Sequence, residues 1–225
     1  MNAMRTPFAP LPLLLFIGLL VLLVSFVQVG ALTLAFDKLG LSANSGFLLL
    51  FVLLFGSAIN LPLFSVSAEA PPIETVPVAL RGLLRHRARE FHGHTLIAIN
   101  VGGGLIPVLF SLYLIGRGGL PLPMLVSAVG VVALVSHLVS RPFPGIGIGM
   151  PIFVAPITAS LTALLLDPEH SAPLAYVGGT LGVLIGADLL RLKDIRRMGT
   201  PLAAIGGAGT FDGIFMTGIV AVLLT

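Results

Sequence analysis

Cysteine and tryptophan are missing from these 225 residues, and only 9% of them carry charge. Without cysteine there is no disulfide, no thiol nucleophile and no cysteine-ligated metal. Soluble domains average about 25% charged residues, so a chain this poor in charge does not have the composition of a soluble protein. What fills the space is apolar: 56% of residues are hydrophobic, and the mean hydropathy is +1.10. The pI near 10.0 does not point to nucleic acid, because the cations sit in loops beside apolar stretches.

Those stretches run 11–36, 46–66, 95–116, 122–140, 148–166, 173–190 and 201–225. Each is near the roughly 17 to 25 residues that a helix needs to cross the hydrocarbon. Backbone groups in lipid must be satisfied internally, and continuous rather than alternating apolar runs favour helices over a barrel. The fold class expected is therefore all-α: a polytopic membrane helix bundle of about seven transmembrane helices. The chain reads as one integral membrane domain, 1–225, with no length left for a soluble one. The first stretch follows Arg5 but has no convincing cleavage site, so it reads as a retained helix.

Charge sets the orientation. With seven spans, one side receives Arg5, Arg81, Arg85, Arg87, Arg89, Arg141, Arg191, Lys193, Arg196 and Arg197, and the other only Lys38 and Arg117. Positive charge stays inside, which puts the N-terminus in the cytoplasm and the protein in the cell inner membrane. Two linkers read as interfacial amphipathic helices. In Val76–Phe91, Val76, Leu80, Leu83, Leu84 and Phe91 share a face, against Arg81, Arg85 and Arg89. In Leu189–Met198, Leu189, Leu192, Ile195 and Met198 recur every three residues. His86, His92 and His94 lack the spacing of a zinc motif, so neither a metal nor another cofactor is expected.

The seven stretches contain two acidic residues, Asp188 and Asp212, on either side of one short basic turn. A carboxylate at a helix centre in lipid costs about 2.5 to 3.5 kcal/mol on insertion scales, and such residues mark functional sites by default. A short turn makes the last two helices antiparallel neighbours, so the pair can face each other. Two carboxyls in contact share a proton, and such a couple can activate water while protonating a carbonyl. The same couple could bind a proton or cation during transport. Asn60 and Asn100 also fall in the cytoplasmic halves of their stretches, and with Gly206, Gly207, Gly209 and Thr210 they form the candidate substrate- or ion-binding set. An ordinary alternative is that Asp188 pairs with Arg191 or Arg141.

A weak internal echo links two hairpins. Leu54–Leu61 is similar to Leu184–Leu189, and each is followed by a basic linker and a glycine cluster, Gly102-Gly103-Gly104 or Gly206-Gly207-Ala208-Gly209. A parallel repeat of the kind some transporters carry would produce it.

The runs Gly56–Leu63, Asn100–Pro107, Ile185–Leu190 and Gly206–Phe215 resemble a family of prokaryotic multi-pass membrane proteins catalogued only as a domain of unknown function. That resemblance covers about residues 46–225 and supplies no activity. More loosely, the chain is similar to intramembrane aspartyl proteases of the presenilin and prepilin-peptidase kind, which carry two aspartates on neighbouring helices. Those enzymes use Gly-x-Gly-Asp where this chain has Gly209-Thr210-Phe211-Asp212. The analogy implies catalytic roles for Asp188 and Asp212. Three readings follow: an intramembrane aspartyl protease, a proton- or cation-coupled transporter or channel, and a non-catalytic membrane scaffold. The expected partners are the lipid bilayer and either a transmembrane peptide or a small solute or cation, with no nucleic acid; composition sets no oligomeric state.

Overall fold

The computed structural model describes residues 18, 19, 21, 28–69, 93–143, 147–207 and 213–225. Most of the first apolar stretch, the Val76–Phe91 linker, Gly209, Thr210 and Asp212 lie outside the described residues.

The chain is mostly helical. Helix α1 (Gln28–Lys38) meets α2 (Ala43–Gly56) at 111°. Gly40, at φ +71°, makes that corner possible, and the Leu41 N–H closes it on Phe36 O at 2.9 Å. The Ser42 hydroxyl then caps α2 by accepting from Ser45 N. Helix α3 (Ile106–Gly116) is entered through a wide π turn, Val101–Leu105. Helix α4 (Leu122–Val139), α5 (Val154–Leu166), α6 (Ser171–Val183) and α7 (Gly213–Leu224) follow. After α6 the chain loosens into a second π turn, Leu184–Asp188, and two 3-10 turns, Leu189–Arg191 and Asp194–Arg197.

The all-α expectation is corrected in part, because three of the apolar stretches change from helix to strand part-way. Strand β1 (Asn60–Ser67) follows α2, β2 (His94–Asn100) precedes α3, and β5 (Leu202–Ile205) precedes α7. They form one sheet in the order β1-β2-β5. The first pair is antiparallel, with Asn60 opposite Asn100. The second is parallel, with Leu96, Ile97, Ala98 and Ile99 opposite Leu202, Ala203, Ala204 and Ile205. Thus the strands leading into the two echoed glycine clusters lie side by side, residue for residue. Short, largely apolar runs have no period to tell a strand from a helix, and central β2 pairs its backbone on both sides. Pro62, which has no N–H to donate, sits on edge strand β1 beside a bulge. A second, two-stranded hairpin pairs β3 (Arg141–Phe143) with β4 (Gly147–Gly149).

Two cores result. The larger lies among the helices, with Ala128 and Val132 of α4, Ala155 and Ala159 of α5, Tyr176 of α6 and Ile219 of α7. The smaller sits between the sheet and the 3-10 turns, where Ile97, Ile195 and Met198 are buried with Val66, Ile148 and Ala203 around them. The basic turn packs Ile195 and Met198 beneath the sheet.

Glycine sets the closest helix contact. Gly178, Gly182 and Gly186 recur every four residues on the face of α6 and its π turn, against Ala128, Val132 and Ala133 of α4. The small-xxx-small spacing lets two backbones approach, as it does between helices in membranes.

Leu122–Val139 and Ser171–Arg191 are long and apolar enough to cross a membrane, and the bent pair α1 and α2 would make a third span. Leu48, Phe55, Leu109, Leu122, Leu134, Leu138 and Leu165 stand exposed around the helices. Such a perimeter is compatible with lipid contact. The two ends differ. At one, Arg117 Nη1 donates to Gly40 O at 3.1 Å and Lys38 Nζ to Val222 O at 3.4 Å, near the end of α7. The sheet, the 3-10 turns and Arg191 occupy the other.

Candidate polar site at the helix breaks

Each break in an apolar stretch frees backbone groups that need partners, and the candidate residues supply them. Strand β2 ends at Asn100, whose side chain is 1% exposed. Its Nδ2 donates to Ser57 O at 2.7 Å, in the turn ending α2, and to Asn60 Oδ1 at 3.0 Å on β1. Its Oδ1 accepts from Gly103 N at 2.7 Å, capping the π turn. Asn100 thus ties three elements together through groups of the protein itself.

The glycines then bring backbone against backbone. A Cβ at Gly102 would fall on Leu53 O and Ser57 N, and one at Gly103 on Gly206 O. Gly206 follows β5 in the left-handed region at φ +78°, with Gly207 at +85°. Only glycine adopts two such conformations in succession at little cost.

Asp188 ends the π turn after α6, half-buried. Its Oδ2 accepts from Gly206 N at 3.0 Å. A continuous arrangement therefore runs from Asn60 through Asn100 and Gly103 to Gly206 and Asp188. Four residues chosen from the sequence stand together, with Gly207 adjoining them. Asp212 lies outside the described residues, so the acidic couple has one member whose geometry is described.

Two side chains not chosen for the site brace the turn that carries Asp188. His137 Nδ1 lies 3.2 Å from Gly186 O, within the π turn. Arg191 Nη2 donates to His137 O at 2.7 Å and to Ser140 O at 2.8 Å, while its Nε donates to Ser140 Oγ at 3.2 Å. A cation on the last carbonyls of α4 satisfies its orphan acceptors and suits the negative end of its dipole. Arg191 also pairs with Asp194 at 3.1 Å. The signal that could have found this brace is the basic residue three positions after an aspartate in an apolar stretch. The signal for the α4–α6 seam is the fourfold spacing of Gly178, Gly182 and Gly186.

The arrangement can hold one carboxylate firmly beside a break in the backbone at the end of a sheet. β5 pairs with β2 on one side, and no strand pairs with its other side among the described residues. Among the described residues no cluster of three or more His, Asp or Glu could hold a metal ion.

A family model described as a protein of unknown function (DUF1614) matches residues 54–224, and the chain belongs to that family. No match was found among curated proteins or among solved structures.

Proposed function

We propose that this DUF1614 member is an integral protein of the cytoplasmic membrane, crossing it seven times with its N-terminus inside, and that it cleaves peptides with Asp188 and Asp212 as an intramembrane aspartyl hydrolase. The observation that carries the reading is Asp188 fixed on Gly206 at the end of β5, a strand with an unpaired side. An extended peptide can add to a sheet edge through main-chain hydrogen bonds. Added to β5, it would run past the Asp188 carboxylate. Asp212 immediately precedes α7 in the chain, at the far end of the glycine segment that Gly206 begins. In such a couple one carboxylate takes a proton from water while the other gives a proton to the carbonyl oxygen. The charge asymmetry of ten cations against two supports the orientation, with the sheet and Arg191 inside.

A second reading, a proton- or cation-coupled transporter, is favoured by another observation. The breaks at Gly56–Asn60, Asn100–Gly104, Gly186–Asp188 and Gly206–Gly207 adjoin one another, and broken helices around a polar centre are how many transporters build their sites. Purified Asp188→Asn and Asp212→Asn proteins, reconstituted in liposomes, decide between the two. The hydrolase reading expects wild-type protein to cleave a transmembrane peptide and both variants to lose that activity. Proton-coupled flux that both substitutions abolish, without cleavage, establishes the second reading instead. Wild-type activity in either variant removes the couple from the mechanism.

A further inference from the structure

We propose that the groove between α2 and α3 is a phospholipid site, with an acyl chain in the groove and the phosphate on Arg117. The inference rests on the membrane reading above and is independent of any catalytic role for Asp188. The groove is about 390 Å³, at the small end of ligand sites, and opens sideways. Leu41, Leu48 and Val52 line one wall, and Phe110 and Tyr113 the other. Leu48, Val52 and Tyr113 are exposed, and so are their neighbours Leu109 and Leu112. The groove therefore continues the apolar perimeter rather than a polar surface.

What selects the occupant is the charge at one end. Arg117 lies over the ring of Tyr113, with Cζ 5.9 Å from the centroid. Its Nη1 donates to Leu39 O at 3.4 Å and Gly40 O at 3.1 Å, directly before Leu41 of the groove wall. Among the described residues Arg117 makes no ion pair, and it is exposed. Five fixed N–H donors with only carbonyl partners leave the charge uncompensated, and a phosphate oxygen matches the fork. A detergent tail or diacylglycerol would fill the apolar part and leave the guanidinium unmatched. A second copy of the chain would have to bring its own carboxylate to that end. A long amphiphile with an anionic head satisfies both parts at once.

Native mass spectrometry of the full chain in mild detergent tests this, with phosphatidylglycerol as the probe and diacylglycerol of equal chain length as its control. Phosphatidylglycerol is expected to bind with one-site saturation, and Arg117→Gln to weaken it about tenfold, the effect of losing one charge-assisted contact. Diacylglycerol should bind weakly and equally to both proteins. Val52→Trp, which fills the groove, should abolish retention while thermal unfolding by circular dichroism stays within a few degrees of wild type. Equal phosphatidylglycerol binding by wild type, Arg117→Gln and Val52→Trp overturns the proposal. So does a dimer that excludes lipid from the groove. Alkaline extraction of membranes separates the two levels: a chain that stays with the membranes but shows no groove-dependent lipid binding refutes the lipid site alone, and one that washes off refutes the membrane reading as well.

Discussion

Substituting alanine along the glycine seam of α6 should cost stability in a fixed order. A Cβ on Gly178 would meet Ala128 Cβ at 3.1 Å, a contact that a few tenths of an ångström relieves. On Gly182 it would lie 2.6 Å from Val132 Cβ, so a side chain must move. On Gly186 it would fall on the carbonyl oxygen of Ala133, with that residue's carbonyl carbon and Cα at 2.9 Å. There α4 itself must move. Overpacking costs about 1 to 3 kcal/mol, and replacing a helical glycine by alanine returns about 0.5 to 1. Gly178→Ala should therefore be near neutral, Gly182→Ala should lose about 1 kcal/mol and Gly186→Ala about 2. The internal control is Gly130 on α4, where nothing lies within 4 Å of an added Cβ. Gly130→Ala keeps only the propensity gain, about 0.5 to 1 kcal/mol of added stability. For a chain of this length each kcal/mol moves the midpoint by about 2 to 4 °C. Gly186→Ala should then melt roughly 4 to 8 °C below wild type and Gly130→Ala slightly above it. The chain has no tryptophan, so circular dichroism at helix wavelengths is the suitable probe. A Gly186→Ala protein as stable as wild type, or a Gly130→Ala protein that falls with it, would show that close approach of α4 and α6 does not hold this fold.

The other expectations concern the breaks and the two ends. Asn100→Ala strands Ser57 O, Asn60 Oδ1 and Gly103 N in a site with 1% exposure, which should cost about 3 kcal/mol at roughly 1 for each lost bond. Asn60→Ala removes one of those bonds from a half-buried side chain and should cost about 1; equal losses in thermal unfolding would contradict the network. Arg191→Met should loosen the end of α4 by about 2 kcal/mol, read as faster hydrogen exchange at the amides of its last turn, while amides near Leu125 stay protected. Because no native cysteine interferes, single cysteines at Ser42 and at Lys193 report sidedness directly. In intact cells an impermeant maleimide should modify the first and reach the second only after lysis; the reverse pattern would invert the proposed topology.

How much of this was legible in the sequence depended on which signal carried it. Apolar runs and acidic residues are read from composition alone, and four of the residues singled out that way, Asn60, Asn100, Gly206 and Asp188, lie near one another. The strands did not emerge, although Pro62 inside the run 46–66 favours an edge strand over a helix interior. His94–Asn100 and Leu202–Ile205 are too short for either period to register, and pairing with segments distant in the chain makes them strands. The two asparagines looked like ligands because they were polar in an apolar setting. An asparagine beside a glycine run is also the residue that caps a freed backbone, and Asn100 does so. The amphipathic spacing of Ile195 and Met198 was visible, but the surface it buries belongs to β2, far away in the chain.

Capping accounts for Asn100, Arg191 and His137, each of which meets backbone groups where a helix ends or loosens. Accepting a backbone hydrogen bond does not by itself require the charge on Asp188. Accepting from Gly206 N needs an oxygen, and the amide of asparagine offers one in nearly the same place. The proposed chemistry, unlike that bond, would need the charge. Two substitutions separate the bond from the charge. Asp188→Asn keeps an acceptor for Gly206 N, whereas Asp188→Leu leaves that N–H unanswered; both remove the charge. The asparagine variant should therefore be more stable than the leucine variant by about 1 to 3 kcal/mol. If the charge is what the site uses, both should be equally inactive in cleavage or flux. An asparagine variant that works like wild type would make Asp188 one more cap, and the search for chemistry would have to move elsewhere in the chain.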